Sequence, residues 1–171
     1  MIIVIDGDYN ENLNIGHMAG VLIEEFEQFD ISGFITTDVN DIGIYESGSF
    51  YKREMKGIES LLDKLNKDEI DCIVIDGYAS FKDNEHKALG ERLYEKYHIP
   101  VIGIAKKRNE FCKIENTEVY RGISKSPLFV TCVGCGHNNA KRCVERMYGE
   151  NRIPYIVKLV DSLARKNKIQ L

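Results

Sequence analysis

The sequence predicts an α/β domain in which a mixed β-sheet is flanked by helices. Three observations carry that prediction. Two apolar runs, Ile2-Ile3-Val4-Ile5 and Cys72-Ile73-Val74-Ile75, have the length and composition of strands buried on both faces. Segments with apolar residues at helical spacing alternate with such runs. No linker, low-complexity tract or internal repeat interrupts the 171 residues, so the chain reads as one domain, residues 1–171, around a single core.

The elements follow in order. The first strand covers Ile2–Asp6. His17–Phe26 and Ile31–Thr37 read as two further strands, antiparallel to their neighbours and separated by turn-forming polar residues. Met55, Ile58, Leu61, Leu62 and Leu65 recur at helical spacing and predict an amphipathic helix over Tyr51–Asn66. The strand Cys72–Asp76 comes next. Ala88, Leu89, Leu93 and Tyr97 mark a second helix that ends before His98-Ile99-Pro100. Val101–Ala105 is another buried strand, with Lys106-Lys107-Arg108 at its C-terminal end. Phe111–Ile114, Val119–Tyr120 and Leu128–Val133 predict further strands. Ala140, Val144 and Met147 mark a third helix, and Ile156, Leu159, Val160, Leu163 and Ala164 a closing one. The order β-β-β-α-β-α-β, followed by small strands and C-terminal helices, is that of ribonuclease H-like folds.

Composition narrows the function classes. Hydrophobic content of 43% and charged content of 29% are ordinary for a soluble globular protein. No apolar run approaches a membrane span, and no apolar stretch follows a basic leader, so a cytoplasmic protein without a membrane partner is expected. A net charge of −4 runs against general polyanion binding, although acids that hold a cation count as negative until the ion is present. Five cysteines, an odd number, argue against a disulfide framework. Cys132-Val133-Gly134-Cys135-Gly136-His137, with Cys143 beyond, contains one Cys-x-x-Cys without a second pair. Cys143 falls on the apolar face of a predicted helix and Cys72 inside a strand, so the thiols read as buried or incidental.

The chemistry concentrates in acids. Both central runs end on Asp-Gly, at Asp6-Gly7 and Asp76-Gly77, and an acid at the C-terminal end of a buried strand lies where open α/β sheets bind ligands. If the first and fourth strands lie side by side, Asp6 and Asp76 become neighbours, and Glu54 at the start of the intervening helix completes a set of three carboxylates. Like charges that close repel, and a divalent cation such as Mg²⁺ or Mn²⁺, which prefers oxygen ligands, relieves the repulsion. The plainer reading is that Asp-Gly ends strands for turn reasons and that Glu54 is an ordinary helix-start acid.

Several segments together resemble one family. Tyr45-Glu46-Ser47-Gly48-Ser49-Phe50-Tyr51-Lys52-Arg53-Glu54 is similar to the Tyr-x-Pro-Gly-x-x-x-Phe-Arg-Glu segment of endonuclease V, and Val74-Ile75-Asp76-Gly77 to its Val-Asp-Gly strand end. Ile99-Pro100-Val101-Ile102-Gly103-Ile104-Ala105-Lys106-Lys107 resembles its Ile-Pro-Thr-Ile-Gly-Val-Ala-Lys segment. Ile5-Asp6 matches the opening Val-Asp, Leu128-Phe129-Val130 through Gly136-His137 the later strand and Gly-His turn. Arg152-Ile153-Pro154, then Val160-Asp161-Ser162-Leu163-Ala164, resembles the family's ending. The matches are collinear over nearly the whole chain.

The resemblance implies a ribonuclease H-like, Mg²⁺-dependent nuclease that cuts DNA or RNA near deaminated bases, chiefly inosine. The cut falls at the second phosphodiester to the 3′ side, leaving a 3′-hydroxyl and a 5′-phosphate. It implies that Asp6, Glu54 and Asp76 are metal-binding catalytic carboxylates and that Lys106 is a cation near the scissile phosphate. Arg53, Gly77 and Lys107 would touch the strand, Tyr45 would wedge the damaged base from the stack, and His137 would approach the same sheet edge. The chain departs from the pattern at Asp76-Gly77-Tyr78-Ala79-Ser80-Phe81-Lys82-Asp83, where the family's second glycine is Ala79 and its catalytic histidine position falls on Lys82 or Asp83. Lys82 would keep a cation there without an imidazole's chemistry, and His86 is the nearest histidine able to take over. Ile44 and Ser47 stand where the family has prolines beside the tyrosine. Two rival readings fit the same residues: a binding relative that has lost the chemistry, and another ribonuclease H-like phosphotransferase or metal-dependent phosphatase.

Overall fold

The computed structural model describes residues 1–43 and 50–166. They form a seven-stranded mixed sheet covered by four helices. The strands are β1 (Ile2–Asn10), β2 (Ile15–Ile23), β3 (Gly33–Asn40), β4 (Cys72–Asp76), β5 (Val101–Ala105), β6 (Glu118–Val119) and β7 (Leu128–Val133). The helices are α1 (Phe50–Leu62), α2 (Leu89–Tyr97), α3 (His137–Arg146) and α4 (Tyr155–Ala164). The spatial order is β3-β2-β1-β4-β5-β7-β6. β1, β4 and β5 run parallel in the middle, β2 and β3 extend one side antiparallel, and β7 and β6 extend the other. The expected ribonuclease H-like arrangement is therefore the one observed. Among the described residues no helix is long and apolar enough to cross a membrane.

The pleat sorts the central strands into two cores. Ile3, Ile5, Ile73 and Ile75 pack under α1 and α2, against Ile58, Leu61, Leu62 and Leu93. Ile2, Val4, Cys72 and Val74 face the other way, onto Val144 of α3 and Ile156, Val157 and Val160 of α4. A strand buried on both faces has no polar position to spare, which is why these runs carry no alternation.

The elements differ from the sequence expectation at their ends. β1 continues four residues beyond Asp6 because Gly7–Asn10 pair antiparallel with Ile15–Met18, so only β4 stops on its aspartate. β2 starts and ends earlier than expected, at Ile15 and Ile23, and β3 is displaced towards the C-terminus, Gly33–Asn40 in place of Ile31–Thr37. α1 ends at Leu62; the Asn66 side chain then accepts the Asp68 N–H at 3.3 Å and opens a single 3₁₀ turn over Lys67–Glu69. Phe111–Ile114 forms no strand. β6 already occupies the free edge of β7, and the backbone bonds of that segment are a local turn bond, Cys112 N–H to the Asn109 carbonyl at 3.2 Å, and a bond from Lys113 N–H to the Phe81 carbonyl at 2.8 Å.

A candidate active site at the C-terminal edge of the parallel strands

Register brings the two aspartates together. Ile5 pairs with Ile75 as the last rung between β1 and β4, so Asp6 and Asp76 follow on the next one. Both share the parity of Val4 and Val74 and leave the sheet on the α4 side, above Val157 and Val160. Glu54 arrives from α1, on the opposite face. All three line one cavity of about 440 Å³ at the rim of the sheet, with Tyr9, Tyr78 and Asn109.

The electrostatics of that cavity are those of acids held too close. Burial pushes the Asp6 carboxyl up to about 7, and the negative charges of Asp76 and, more weakly, Asp161 add to the rise. The Gly7 N–H donating to Asp6 Oδ1 at 2.8 Å opposes it in part. Burial pushes Glu54 further, to about 8, with Asp76 and then Asp6 as the charges that add to it. The Tyr9 phenol is raised above its ordinary range by burial, by Glu54 and by Asp6. Two of the three carboxyls therefore hold a proton near neutral pH unless a cation offsets their neighbours' charge.

Lys106, the residue after β5, supplies one positive group. Its Nζ donates to Asp76 Oδ2 at 3.0 Å. Its backbone is fixed by Arg152, whose guanidinium donates to the carbonyls of Lys106 at 2.6 Å, Pro127 at 2.8 Å and Ser126 at 3.1 Å. Tyr78 pins the following turn: its hydroxyl donates to the Lys107 carbonyl at 3.0 Å and accepts the Asn109 N–H at 3.0 Å. The chain leaves β4 through Gly77, at φ +114°, and crosses directly over Gly103, where a Cβ would stand 2.3 Å from the Ala79 nitrogen.

Among the described residues no group of three or more His, Cys, Asp or Glu side chains is arranged to hold a metal ion as it stands. What Asp6, Glu54 and Asp76 share with a hard-cation site is donor chemistry. They are three carboxylates in one cavity, two with their charged form disfavoured by burial and by like charge, the condition a divalent cation corrects.

The remaining expected residues are distributed as follows. Gly77 lines the cavity. Arg53 adjoins it but is only 6% exposed: Nη1 donates to Glu11 Oε1 at 3.1 Å and the guanidinium lies over the Tyr9 ring, 5.1 Å from its centroid. The Lys107 side chain is exposed. Lys82 and His86 do not line the cavity. The loop after β4 descends over the sheet instead, Ala79 N–H donating to Thr131 Oγ1 at 2.9 Å, and Lys82 acts electrostatically on Cys132, which pairs with Ile102 near the start of β5. His86 pairs with Asp83 and stacks on Phe111 with centroids 3.8 Å apart. His137 begins α3 just after β7, whose last residue pairs with the first of β5, so it stands at the edge opposite Asp76; its Nε2 lies 3.2 Å from the Asn116 carbonyl. The expectation that His137 approaches the carboxylates is corrected by that topology. Tyr45 lies outside the described residues.

Sequence reasoning passed over Tyr9, Asp161, Asn109 and the positioning role of Arg152. Asp161 stands in a segment already singled out, but only the docking of α4 beneath β1 brings its charge to Asp6. Tyr9 belongs to the part of β1 that the apolar pattern does not mark.

No protein-family model matches the chain, and no curated protein does. Solved structures do. Endonuclease V from Streptomyces avermitilis superposes with a TM-score of 0.76 at 22% identity, covering 96% of this chain and 79% of that one. Endonuclease V from Ciona intestinalis, in complex with a 24mer DNA containing an inosine followed by a ribo-adenosine, gives 0.78 at 19% identity, covering 96% and 84%. Endonuclease V from Bacillus subtilis gives 0.72 at 18% identity, covering 96% and 78%. At these identities the likeness is one of fold, and the fold is that of the endonuclease V structures.

Proposed function

We propose that this protein is a metal-dependent endonuclease that cleaves DNA or RNA to the 3′ side of a deaminated base such as inosine. The observation that carries the reading is the convergence of Asp6, Glu54 and Asp76 on one cavity at the edge where parallel strands present ligands. It is supported by the shared fold with endonuclease V structures, one of them holding inosine-containing DNA.

In this reading Asp6, Glu54 and Asp76 hold a Mg²⁺ ion, for which Mn²⁺ substitutes. When bound, the ion supplies Lewis-acid activation of a water and neutralises charge on the phosphate. Asp6 and Glu54 would hold the ion in their carboxylate forms, which burial and mutual repulsion disfavour and which a cation's charge would restore. Lys106, held by Arg152, sets an ammonium beside the reacting phosphate, where it favours the charge that develops on oxygen. Arg53 keeps the Tyr9 ring against the cavity wall, which limits water around the carboxylates. Tyr45 serves as the wedge that separates the damaged base from its stack.

The test is a fluorescently labelled strand with a single inosine, incubated with the protein and Mg²⁺. The expected product ends one nucleotide beyond the lesion, and Asp6→Asn lowers the rate by about 100-fold or more. No cut by the wild-type chain, or an undiminished one by Asp6→Asn, overturns the reading.

A second reading is a nucleic-acid-binding relative without cleavage. It is favoured by the ion pair between Lys106 and Asp76, which occupies one carboxylate oxygen from within, and by a cavity lining that, among the described residues, includes no histidine. Retained binding of the inosine strand with no heat of Mg²⁺ or Mn²⁺ binding in calorimetry selects it.

A further inference from the structure

The molecule has a second reactive locus, at the end of the sheet opposite the carboxylates. β7 ends with Cys132 and Val133, Gly134 makes the turn, and Cys135 precedes Gly136, the N-cap of the ten-residue α3. Cys132 Sγ donates to the Cys135 carbonyl at 3.2 Å, so the two residues of the pair are in direct contact. The turn is fixed: Gly134 sits at φ +78°, and a Cβ there would stand 2.4 Å from the Tyr94 ring. Cys135 is exposed and Cys132 partly so.

We propose that Cys132 and Cys135 form a thiol–disulfide exchange site that closes reversibly to an intramolecular disulfide on meeting a low-molecular-weight disulfide. The surroundings single out Cys132 as the nucleophile. The charged and titratable groups that bear on it are the Cys135 thiol, the Lys82 ammonium and the buried Cys72 thiol of β4; the first two favour the Cys132 thiolate, and the helix N-terminus behind Cys135 acts in the same sense. Its thiol is lowered to about 7, while that of Cys135 is raised because it supplies the hydrogen bond. The neighbouring Cys72 is buried in β4 and pushed up to about 12, chiefly by burial, and Cys143 on α3 is raised for the same reason. Reactivity is thus confined to one member of the pair, with its resolving partner three residues on.

The exchange balances without a further reagent. The Cys132 thiolate attacks one sulfur of the small disulfide; that S–S bond breaks and one small thiolate leaves. Cys135 loses its proton to water, and its thiolate attacks Cys132 Sγ, expelling the second small thiolate as the Cys132–Cys135 bond forms. Two protein thiols are oxidised and one small disulfide is reduced to two thiols. A dithiol reductant runs the sequence backwards.

The experiment exposes the full chain to millimolar oxidised glutathione, quenches with acid, alkylates with N-ethylmaleimide, and reads intact and peptide masses. The expected result is loss of two of the five thiols, a peptide linked internally at Cys132 and Cys135, and full reversal by dithiothreitol. Cys135→Ser stops with glutathione on Cys132, whereas Cys132→Ser loses the fast reaction and Cys112→Ser leaves it unchanged. In the wild-type chain, which needs no variant to fold, the labelling rate of Cys132 reaches half its maximum near pH 7. Equal alkylation of all five thiols after oxidation, or glutathione landing first on Cys112 or Cys143, overturns the proposal. So does a pair that resists alkylation under reductant until a chelator is added, which identifies a metal site instead.

Discussion

Two charged sites in this protein are solved in opposite ways. Arg121, 4% exposed, uses all five N–H donors on backbone carbonyls: Val144, Glu145, Met147, Gly149 and Asn151, at 2.7 to 3.2 Å. It ties the chain beyond α3 to the β6 region, and nothing is left over for a ligand. Asp6, Glu54 and Asp76 share a cavity with like charges as neighbours, and folding holds the first two against their preference for ionisation. A satisfied charge cluster is a structural device. An unsatisfied one, maintained at a cost in stability, marks the place where the protein meets something else.

The sharpest way to break this comparison is to remove Arg121. Arg121→Met strands five carbonyls and is expected to cost about 3–5 kcal/mol in urea unfolding. Arg121→Lys recovers only part, because an ammonium carries three donors. A loss below about 1 kcal/mol for the methionine variant would mean the cluster is not the anchor its geometry indicates.

The carboxylates predict the reverse sign. Their proton affinity is higher in the folded chain than in the unfolded one, so folding favours the protonated forms. That contribution is fully present below the unfolded carboxylate range near pH 4 and is lost as pH rises through about 7 for Asp6 and about 8 for Glu54. In cation-free buffer the loss between pH 4 and pH 8 should be on the order of 2–4 kcal/mol, read as the stability difference between wild type and an Asp6→Asn/Glu54→Gln variant. Mg²⁺ added at pH 8 should raise the wild-type melting temperature and leave the double variant unchanged. Glu54→Gln alone should be nearly neutral at pH 5 and stabilising by about 1–2 kcal/mol at pH 8, while abolishing cleavage of the inosine strand. A variant that is destabilised at pH 8 would show that Glu54 is a structural acid.

Lys106 lies between the two extremes. Its ion pair with Asp76 is more than a third exposed on both sides, so Lys106→Met should change stability by less than about 1 kcal/mol. Cleavage should fall by about 10-fold or more if the ammonium faces the phosphate. Equal loss in folding and in turnover would reassign Lys106 to structure alone.

Much of this arrangement was written in residue order. The unbroken apolar runs at Ile2–Ile5, Ile73–Ile75 and Val101–Ala105 required strands with both faces covered, and the helical spacing of Ile58, Leu61 and Leu62 required a covering helix. From these came the strands of the sheet; the neighbourhood of Asp6 and Asp76 follows from the parallel pairing of β1 with β4, which sets Ile5 opposite Ile75. Local pattern failed where pairing partners decide. Residues 7 to 10 extend β1 only because β2 is there to receive them, and Phe111–Ile114 stays irregular because β6 already holds the edge it would need. The destinations of Lys82, His86 and His137 were likewise hidden, since spacing along the chain does not record the path of a loop across the sheet.

The sequence by itself therefore determined which apolar runs are buried strands and that an acid follows two of those runs, because periodicity and burial are properties of short stretches. Tertiary structure decided the rest. It brought Glu54 over the rim from the opposite face, set Asp161 beneath Asp6, spent Arg121 on backbone carbonyls, and placed His137 at the opposite edge of the sheet. Those outcomes depend on how separate elements dock, and the charge a carboxylate feels is set by neighbours that only docking supplies.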